Sequence, residues 1–285
     1  MRSYREQLIV KPGTKIRLAR ISPDFHGKHE SREKAQPELD RAIEKIDQLQ
    51  LRMYAEHRHS ILIVLQGLDA AGKDGVIRHV FTGMNPQGCS VATFKQPTPI
   101  ERDHDFLWRT HPHAPARGHV TIFNRSHYED VLIARVHNLV PKAVWSRRYD
   151  MINAFERTLA ADNGTTVLKF FLHISKDEQL ARFEKRLDDP GRNWKISDSD
   201  YAEREFWSAY MAAFEDVLHK TSTKQAPWFV IPANHKWFSH LAISEIIVDA
   251  MEQMAIKMPR PTVDLKEIRR KFHSARKNLR RALHD

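Results

Sequence analysis

Cysteine is nearly missing from this chain: Cys89 is the single one in 285 residues. That excludes an internal disulfide framework and, within one chain, a four-thiolate zinc site. Such sparse thiol usage fits a reducing, cytoplasmic compartment. No uncharged apolar run approaches the roughly 20 residues that span a bilayer. The N-terminal MRSYREQLIVKPG also lacks the long apolar segment of a secretory signal. No internal repeat or low-complexity tract is present. Acidic residues are in deficit, with 36 Asp and Glu against 46 Lys and Arg and a net charge of +10. Such an excess favours polyanionic partners, namely nucleic acid, an anionic membrane or polyphosphate, without choosing among them.

What is present is an alternation of two hydrophobic periods. Residues 1–35 are polar, contain Pro12-Gly13 and DFHGKHESREK, and read as an N-terminal arm. From Glu38 the apolar positions Leu39, Ile43, Ile46, Leu49 and Met53 recur at helical spacing to about Glu56. SILIVLQ (60–66) then forms an unbroken, β-branched run, the pattern of a strand buried on both faces. Similar runs are SVATFK (90–95), HVTIFN (119–124), TVLKFFLHI (166–174) and WFVIPA (228–233). Helical patterns separate them: Lys73–Thr82, Ile100–Arg109, Ser126–Val136, Pro141–Ala161, Lys176–Leu187, Asp198–Thr221 and His240–Lys257. This order predicts an α/β domain over 36–260, with a parallel β-sheet of about five strands and helices on both faces. The remaining segment, 261–285, reads as a basic helix or tail. From Asp264 to Asp285 it holds eight basic residues against three acidic ones, and Leu265, Ile268, Phe272, Ala275, Leu279 and Leu283 fall on one face. It is expected to dock that stripe on the domain while its charge attracts polyanions.

The chemistry is concentrated in three stretches. The first is GLDAAGKDG (67–75), directly after a predicted strand and opening a predicted helix. Gly67, Ala70, Ala71 and Gly72 would aim backbone N–H groups at an anion, and Lys73 would reach a phosphate oxygen, as in a Walker A loop. Such loops normally follow the lysine with Ser or Thr, whereas here Asp74 stands. Asp69 lies inside the loop, where its charge would repel phosphate unless a cation intervened, so it is the candidate metal ligand. The second stretch is HVTIFNRSHYEDVL, which places Asn124 and Arg125 at a strand end and Glu129 about one turn further on. The planar fork of arginine suits phosphate. The third, QLARFEKRLDDPGRNWKISDSD, carries Arg182, Lys185, Arg186, Arg192 and Lys195. It reads as a helical lid over 182–200 that closes above phosphates and excludes water.

GLDAAGKDG, FNRSHYEDVL and RFEKRLDDPGRNWKIS, in this order and spacing, closely resemble the type 2 polyphosphate kinases, and the likeness runs to about Lys257. The resemblance implies a P-loop kinase fold and a reversible in-line phosphoryl transfer from inorganic polyphosphate to AMP, ADP or both. It further implies Mg²⁺ or Mn²⁺, adenine nucleotides with guanine as the second base, and a homo-oligomer, either dimer or tetramer. No specific nucleic acid and no membrane partner is implied. By the same resemblance Asp69 acts with the metal, while Lys73, Arg125 and Arg186 neutralise the transferred phosphoryl group. Many members carry Asp where this chain has Asn124; the Asn form resembles the branch that phosphorylates both nucleoside mono- and diphosphates. Glu129 is then a second candidate for the metal or the acceptor phosphate. Lys95, Lys185, Arg192 and Lys195 are candidates, from position alone, for a channel holding the polyphosphate.

Two other classes stay open on the residues. An ATP-dependent nucleoside monophosphate kinase of thymidylate-kinase type shares loop and lid but needs no polyphosphate. A nucleic-acid-binding protein with a regulatory P-loop would use the basic tail, although no helix-turn-helix, zinc-finger or RNP pattern is present. His104, His111, His113 and His119 lack nearby thiolates and paired spacing, so hydrogen-bonding or packing roles are expected of them.

Overall fold

In a computed structural model, which describes residues 3–282, one six-stranded sheet runs in the order β1-β6-β5-β2-β4-β3. The strands are β1 (Ile9–Val10), β2 (Ser60–Gln66), β3 (Cys89–Thr93), β4 (Val120–Asn124), β5 (Thr165–His173) and β6 (Trp228–Pro232). All pairings are parallel except β1 with β6. The helices are α1 (Tyr4–Leu8), α2 (Arg32–Glu56), α3 (Lys73–Val80), α4 (Pro99–Arg102), α5 (Ile133–Val136) and α6 (Lys142–Asp162). They continue with α7 (Lys176–Leu187), α8 (Asp198–Glu205), α9 (Trp207–Thr221), α10 (Lys236–Gln253) and α11 (Leu265–Ala282).

Every residue of β2 is buried, because alternate side chains feed two cores. Ile61, Ile63 and Leu65 pack with apolar residues of α2, α3 and α10 on one face. Leu62 and Val64 pack with Tyr149 and Ile152 of α6 and Phe214 and Val217 of α9 on the other. β5 repeats the alternation, with Leu168, Phe170 and Leu172 on the first face and Val167 and Phe171 on the second. Between these last two stands a charge, Lys169, which is fully buried. The register pairs Leu65 with Asn124, so the loops leaving β2 and β4 emerge side by side at the carboxyl edge of the sheet. In such sheets that edge is where ligands bind.

Several boundaries differ from the sequence pattern, each for a local reason. A sixth strand appears because the lead-in is packed: Ile9 and Val10 pair antiparallel with Phe229 and Trp228, and Tyr4, Val10 and Leu18 are buried. A strand of two residues is too short for any periodicity to reveal. The helix read from Glu38 begins at Arg32, capped by the Ser31 hydroxyl, with Pro37 inside it. The helix read over Ser126–Val136 is instead a 3-10 turn at His127–Asp130 followed by the short α5. Likewise the single helix read over Asp198–Thr221 breaks at Phe206, without any Pro or Gly to announce it.

The basic C-terminal helix does not dock. Leu265, Ile268, Phe272 and Leu279 are 45–64% exposed, so the expected covering of this stripe by the domain is not found; Leu283, the last residue of that stripe, lies outside the described residues. Among the described residues no helix is long and apolar enough to cross a membrane. Since the described side chains of α11 are all exposed, deletion of residues 264–285 should leave the thermal midpoint within about 2 °C of the full chain, the size of an ordinary surface change. A larger fall in a melting curve would show that the helix supports the core.

Candidate active site

The loop between β2 and α3 folds as an anion cradle because its backbone takes conformations that side chains resist. Gly67 and Gly72 have φ of 155° and 113°, and Ala70 is left-handed at 62°. At Gly67 an added Cβ would lie 2.9 Å from the Leu172 carbonyl oxygen, so the close approach of β5 also demands glycine. Lys73 is buried and bends back into the loop, its Nζ donating to the carbonyl oxygens of Gly67 at 2.7 Å and Leu68 at 3.2 Å. An ammonium has three donors, so one remains for a ligand. Burial, then the neighbouring Arg125 charge, lowers the pKa of Lys73 to about 8 despite Asp69 and Glu129.

The end of β4 closes on this loop. Arg125, left-handed at φ 61°, donates its backbone N–H to Leu65 of β2 at 3.1 Å. Its guanidinium reaches Asp69 at 2.5 Å and Glu129 at 3.5 Å. Burial works against that charge, but Glu129 and Asp69 outweigh it and raise the Arg125 pKa. Asn124 donates to Asp74 at 3.0 Å, and Lys195 of the lid reaches the other oxygen of the same carboxylate at 3.3 Å. Burial pushes the Asp74 carboxyl up, and these two donors more than offset it, so it lies below the usual value. Asp74 is therefore a lid latch as well as a first-turn carboxylate favoured by the dipole of α3.

The basic segment that begins with α7 is tied to the loop by a guanidinium that the sequence marks only as one basic residue among several. Arg182 of α7 is buried and donates to the carbonyl oxygens of Ala70 (2.8 Å), Ala71 (3.0 Å), Ala233 (2.5 Å) and Asn234 (3.0 Å), with its Nε on Glu178 (2.7 Å). All its donor directions are taken, so Arg182 is a strut joining loop, α7 and the end of β6 rather than a ligand for phosphate. Gln179, one turn earlier, donates to the Asp69 carbonyl at 2.9 Å. Arg186 sits at the far end of α7, on the Lys195 carbonyl at 3.2 Å and 3.8 Å from Asp200. The break between α8 and α9 turns Glu203, Arg204, Trp207 and Tyr210 toward a cleft that opens beside Asp69, Arg125 and Glu129. Of these four the sequence marks only Trp207, as an aromatic able to stack a base though more expected in a core or interface; the break itself has no Gly or Pro to reveal the others.

Of the candidates named from sequence, Gly67, Asp69, Ala70, Ala71, Gly72, Lys73, Asp74, Asn124, Arg125, Glu129 and Lys195 are thus linked through the loop and its immediate contacts. Lys185 and Arg192 are exposed on the lid, Arg192 paired with Asp189 at 2.8 Å. Lys95 is exposed just beyond β3, where its carbonyl accepts from Arg109. The histidines separate: His104 stacks on Trp108, His111 meets Phe155, His113 meets Phe94 and His119 meets Tyr54.

The donor set can be tested against a divalent ion. Asp69 and Glu129 converge from two loops, and Mg²⁺ characteristically takes one or two carboxylates plus phosphate oxygens and water. Among the described residues no group of three or more His, Cys, Asp or Glu could hold an ion by itself. Mg²⁺ therefore fits with a phosphate-bearing substrate completing its shell.

A glycine loop and helix N-terminus at the end of a central parallel strand, with an arginine from the neighbouring strand and a basic lid, define a P-loop phosphotransferase. Comparison narrows the class. The family model for polyphosphate kinase 2 (PPK2) matches residues 29–259, and the chain belongs to that family. It is 48% identical to the AMP/ADP-polyphosphate phosphotransferase of Meiothermus ruber, over 92% of this chain and 96% of that one. It is 43% identical to the ADP-polyphosphate phosphotransferase of Rhodopseudomonas palustris, over 92% and 94%. The crystal structure of polyphosphate kinase 2 from Arthrobacter aurescens TC1 superimposes with a TM-score of 0.91 at 39% identity, covering 96% of this chain and 97% of that one.

The lowered Lys73 pKa gives a signed expectation. Below about pH 8 its ammonium is charged, and above it the charge is lost from the unliganded protein. Affinity for inorganic tripolyphosphate, measured by calorimetry from about pH 7 to 9, should therefore fall more steeply in the wild type than in Lys73→Met. Parallel pH slopes would mean that Lys73 does not meet the anion.

Proposed function

We propose that this chain transfers phosphoryl groups between inorganic polyphosphate and adenine nucleotides, with AMP and ADP both serving as acceptors. The observation that carries the reading is the convergence of Lys73, Asp69, Arg125 and Glu129 on one loop beneath a basic lid. The activity in the name of the M. ruber relative supports the choice of donor and acceptors.

The physical problem is that donor and acceptor are both polyanions and must meet end to end. The backbone N–H groups of the loop and the N-terminus of α3 bind the donor's terminal phosphates. Asp69, with Glu129 as a second ligand, would hold Mg²⁺ or Mn²⁺, which would supply positive charge to offset the repulsion between the reactants. Lys73 and Arg125 neutralise charge on the transferred group from two further sides, and Arg186 adds a lid-borne charge. Catalysis is then positioning plus electrostatic stabilisation of an in-line displacement. The lid, latched by Lys195 on Asp74, excludes water that would otherwise take the phosphoryl group. The acceptor enters the cleft beside Glu203, Arg204, Trp207 and Tyr210. Lys185 and Arg192 guide the polyphosphate chain, and Lys95 attracts it from further out. Burial, followed by the charges of Arg182 and Arg192, lowers the pKa of nearby Lys236 despite Glu178, so positive charge prevails around it. A half-buried lone thiol, Cys89, fits action in the cytoplasm.

Purified protein with Mg²⁺ and long-chain polyphosphate, followed by chromatography, should form ATP from ADP and from AMP. Product from ADP alone would reject the dual-acceptor reading of Asn124. Product only with ATP as donor would favour an ordinary nucleoside monophosphate kinase. Asp69→Ala and Lys73→Ala should each lower turnover by at least about a hundredfold, the scale of losing one transition-state charge partner, with an unchanged circular dichroism spectrum.

A further inference from the structure

Directly behind the Arg125 turn lies a group of buried polar side chains. Lys169, in the middle of β5, and Glu156 of α6 pair at 2.6 Å and are 0% and 1% exposed. The three ammonium donors of Lys169 are all used, on Glu156, on the Tyr128 hydroxyl at 2.9 Å and on the Thr221 carbonyl at 2.7 Å. The other Glu156 oxygen accepts the Tyr128 hydroxyl at 2.8 Å, with His127 Nε2 at 3.4 Å. Burial opposes both charges, yet the charge of Lys169 holds the Glu156 carboxyl below its usual range, and burial lowers the pKa of His127.

Stability alone does not explain this pair. Its neighbours on the same face of β5, Val167 and Phe171, are apolar, and replacing a buried ion pair by apolar residues is often neutral or stabilising. Its location does suggest a role. His127 and Tyr128 are the residues between Arg125-Ser126 and Glu129, in a turn that no strand ladder holds. Arg125 there keeps a left-handed backbone at φ 61°, a conformation that persists in a non-glycine residue only when its surroundings over-determine it. Beyond the Arg125 backbone bond to Leu65, side chains fix the turn at three further points. Ser126 accepts from Gln66 of β2 at 3.1 Å. Tyr128 is held by the Lys169–Glu156 pair. Asp130 is held by Arg148 at 3.3 Å and Arg109 at 3.7 Å. Of these three, the Tyr128 anchor is the one that reaches through the core to β5, while both it and the Asp130 anchor engage α6.

We propose that the buried Lys169–Glu156 pair, acting through the Tyr128 hydroxyl, positions the turn that presents Arg125 and Glu129 to the phosphates. Tyr128 and the pair are positioning residues: none lines the cleft, and they act through Arg125. The meaning of this role for turnover rests on the function proposed above.

Tyr128→Phe removes one hydroxyl and leaves the ring and the ion pair in place. It should lower kcat for ADP phosphorylation by about tenfold with KM for ADP within about twofold, a coupling of ordinary size for one hydrogen-bond network. A double-mutant cycle reads the path. Tyr128→Phe should weaken inorganic tripolyphosphate binding severalfold in the wild type and leave it unchanged in an Arg125→Ala background. Equal weakening in both backgrounds, or none in either, overturns the proposal. If Tyr128→Phe does not melt cooperatively, Lys169→Met with Glu156→Leu replaces the pair by apolar side chains, and the same cycle decides. A wild type that binds tripolyphosphate but transfers nothing from polyphosphate overturns the proposed function alone, since the binding cycle still tests the positioning role. Absence of tripolyphosphate binding overturns both.

Discussion

The contact between Asp69 and Arg125 is the interaction on which the rest of the site depends. It joins a carboxylate inside the phosphate loop to a guanidinium at the end of the neighbouring strand, 2.5 Å apart. Each side chain holds the other in place. A charge of either sign alone in a half-buried loop would be costly. Paired, the two charges offset each other.

Around this contact the protein arranges positive charge by degrees of burial. Lys73 lies deepest, bonded to its own loop. Arg125 is intermediate and oriented by Glu129 as well as Asp69. Lys195, Arg186, Lys185 and Arg192 are carried by the lid segment. Arg182, although cationic, is removed from this gradient because backbone carbonyls consume its donors, and its contribution is to fix the angle between loop and lid. The gradient runs from exposed charges at the surface to desolvated ones beside the loop.

The sheet explains why these parts meet at all. Parallel strands β2 and β4 end in register, so that Leu65 stands beside Asn124, and whatever follows each strand must share one space. Behind them α6, α9 and β5 supply the second core, whose buried Lys169 and Glu156 face the underside of the same turn. Stability and site geometry are therefore not separate here, because the residues that fill the core behind β4 also shape the turn that leaves it.

The α/β class, the central strand, the phosphate loop, the arginine after β4 and the basic lid could all be read from the amino-acid order. Each is a local signal: an unbroken apolar run, glycines at the start of a helix, or basic residues within a few turns. The sixth strand, the break at Phe206, the docking of the lead-in and the exposure of the C-terminal stripe were not legible, because each depends on what lies opposite in space. Tertiary structure also separated residues that look alike in the sequence. Arg182 and Arg186 are one helical turn apart and equally basic, yet one is a buried strut and the other a lid residue. Lys169 is a charge within a largely apolar strand, and Glu156 and Tyr128 beside it account for its burial. The sequence by itself determined which chemistry is present, because residue type and spacing set the donors and charges. Only the fold decided which of those charges face a ligand and which face one another, because that depends on burial and on partners distant along the chain.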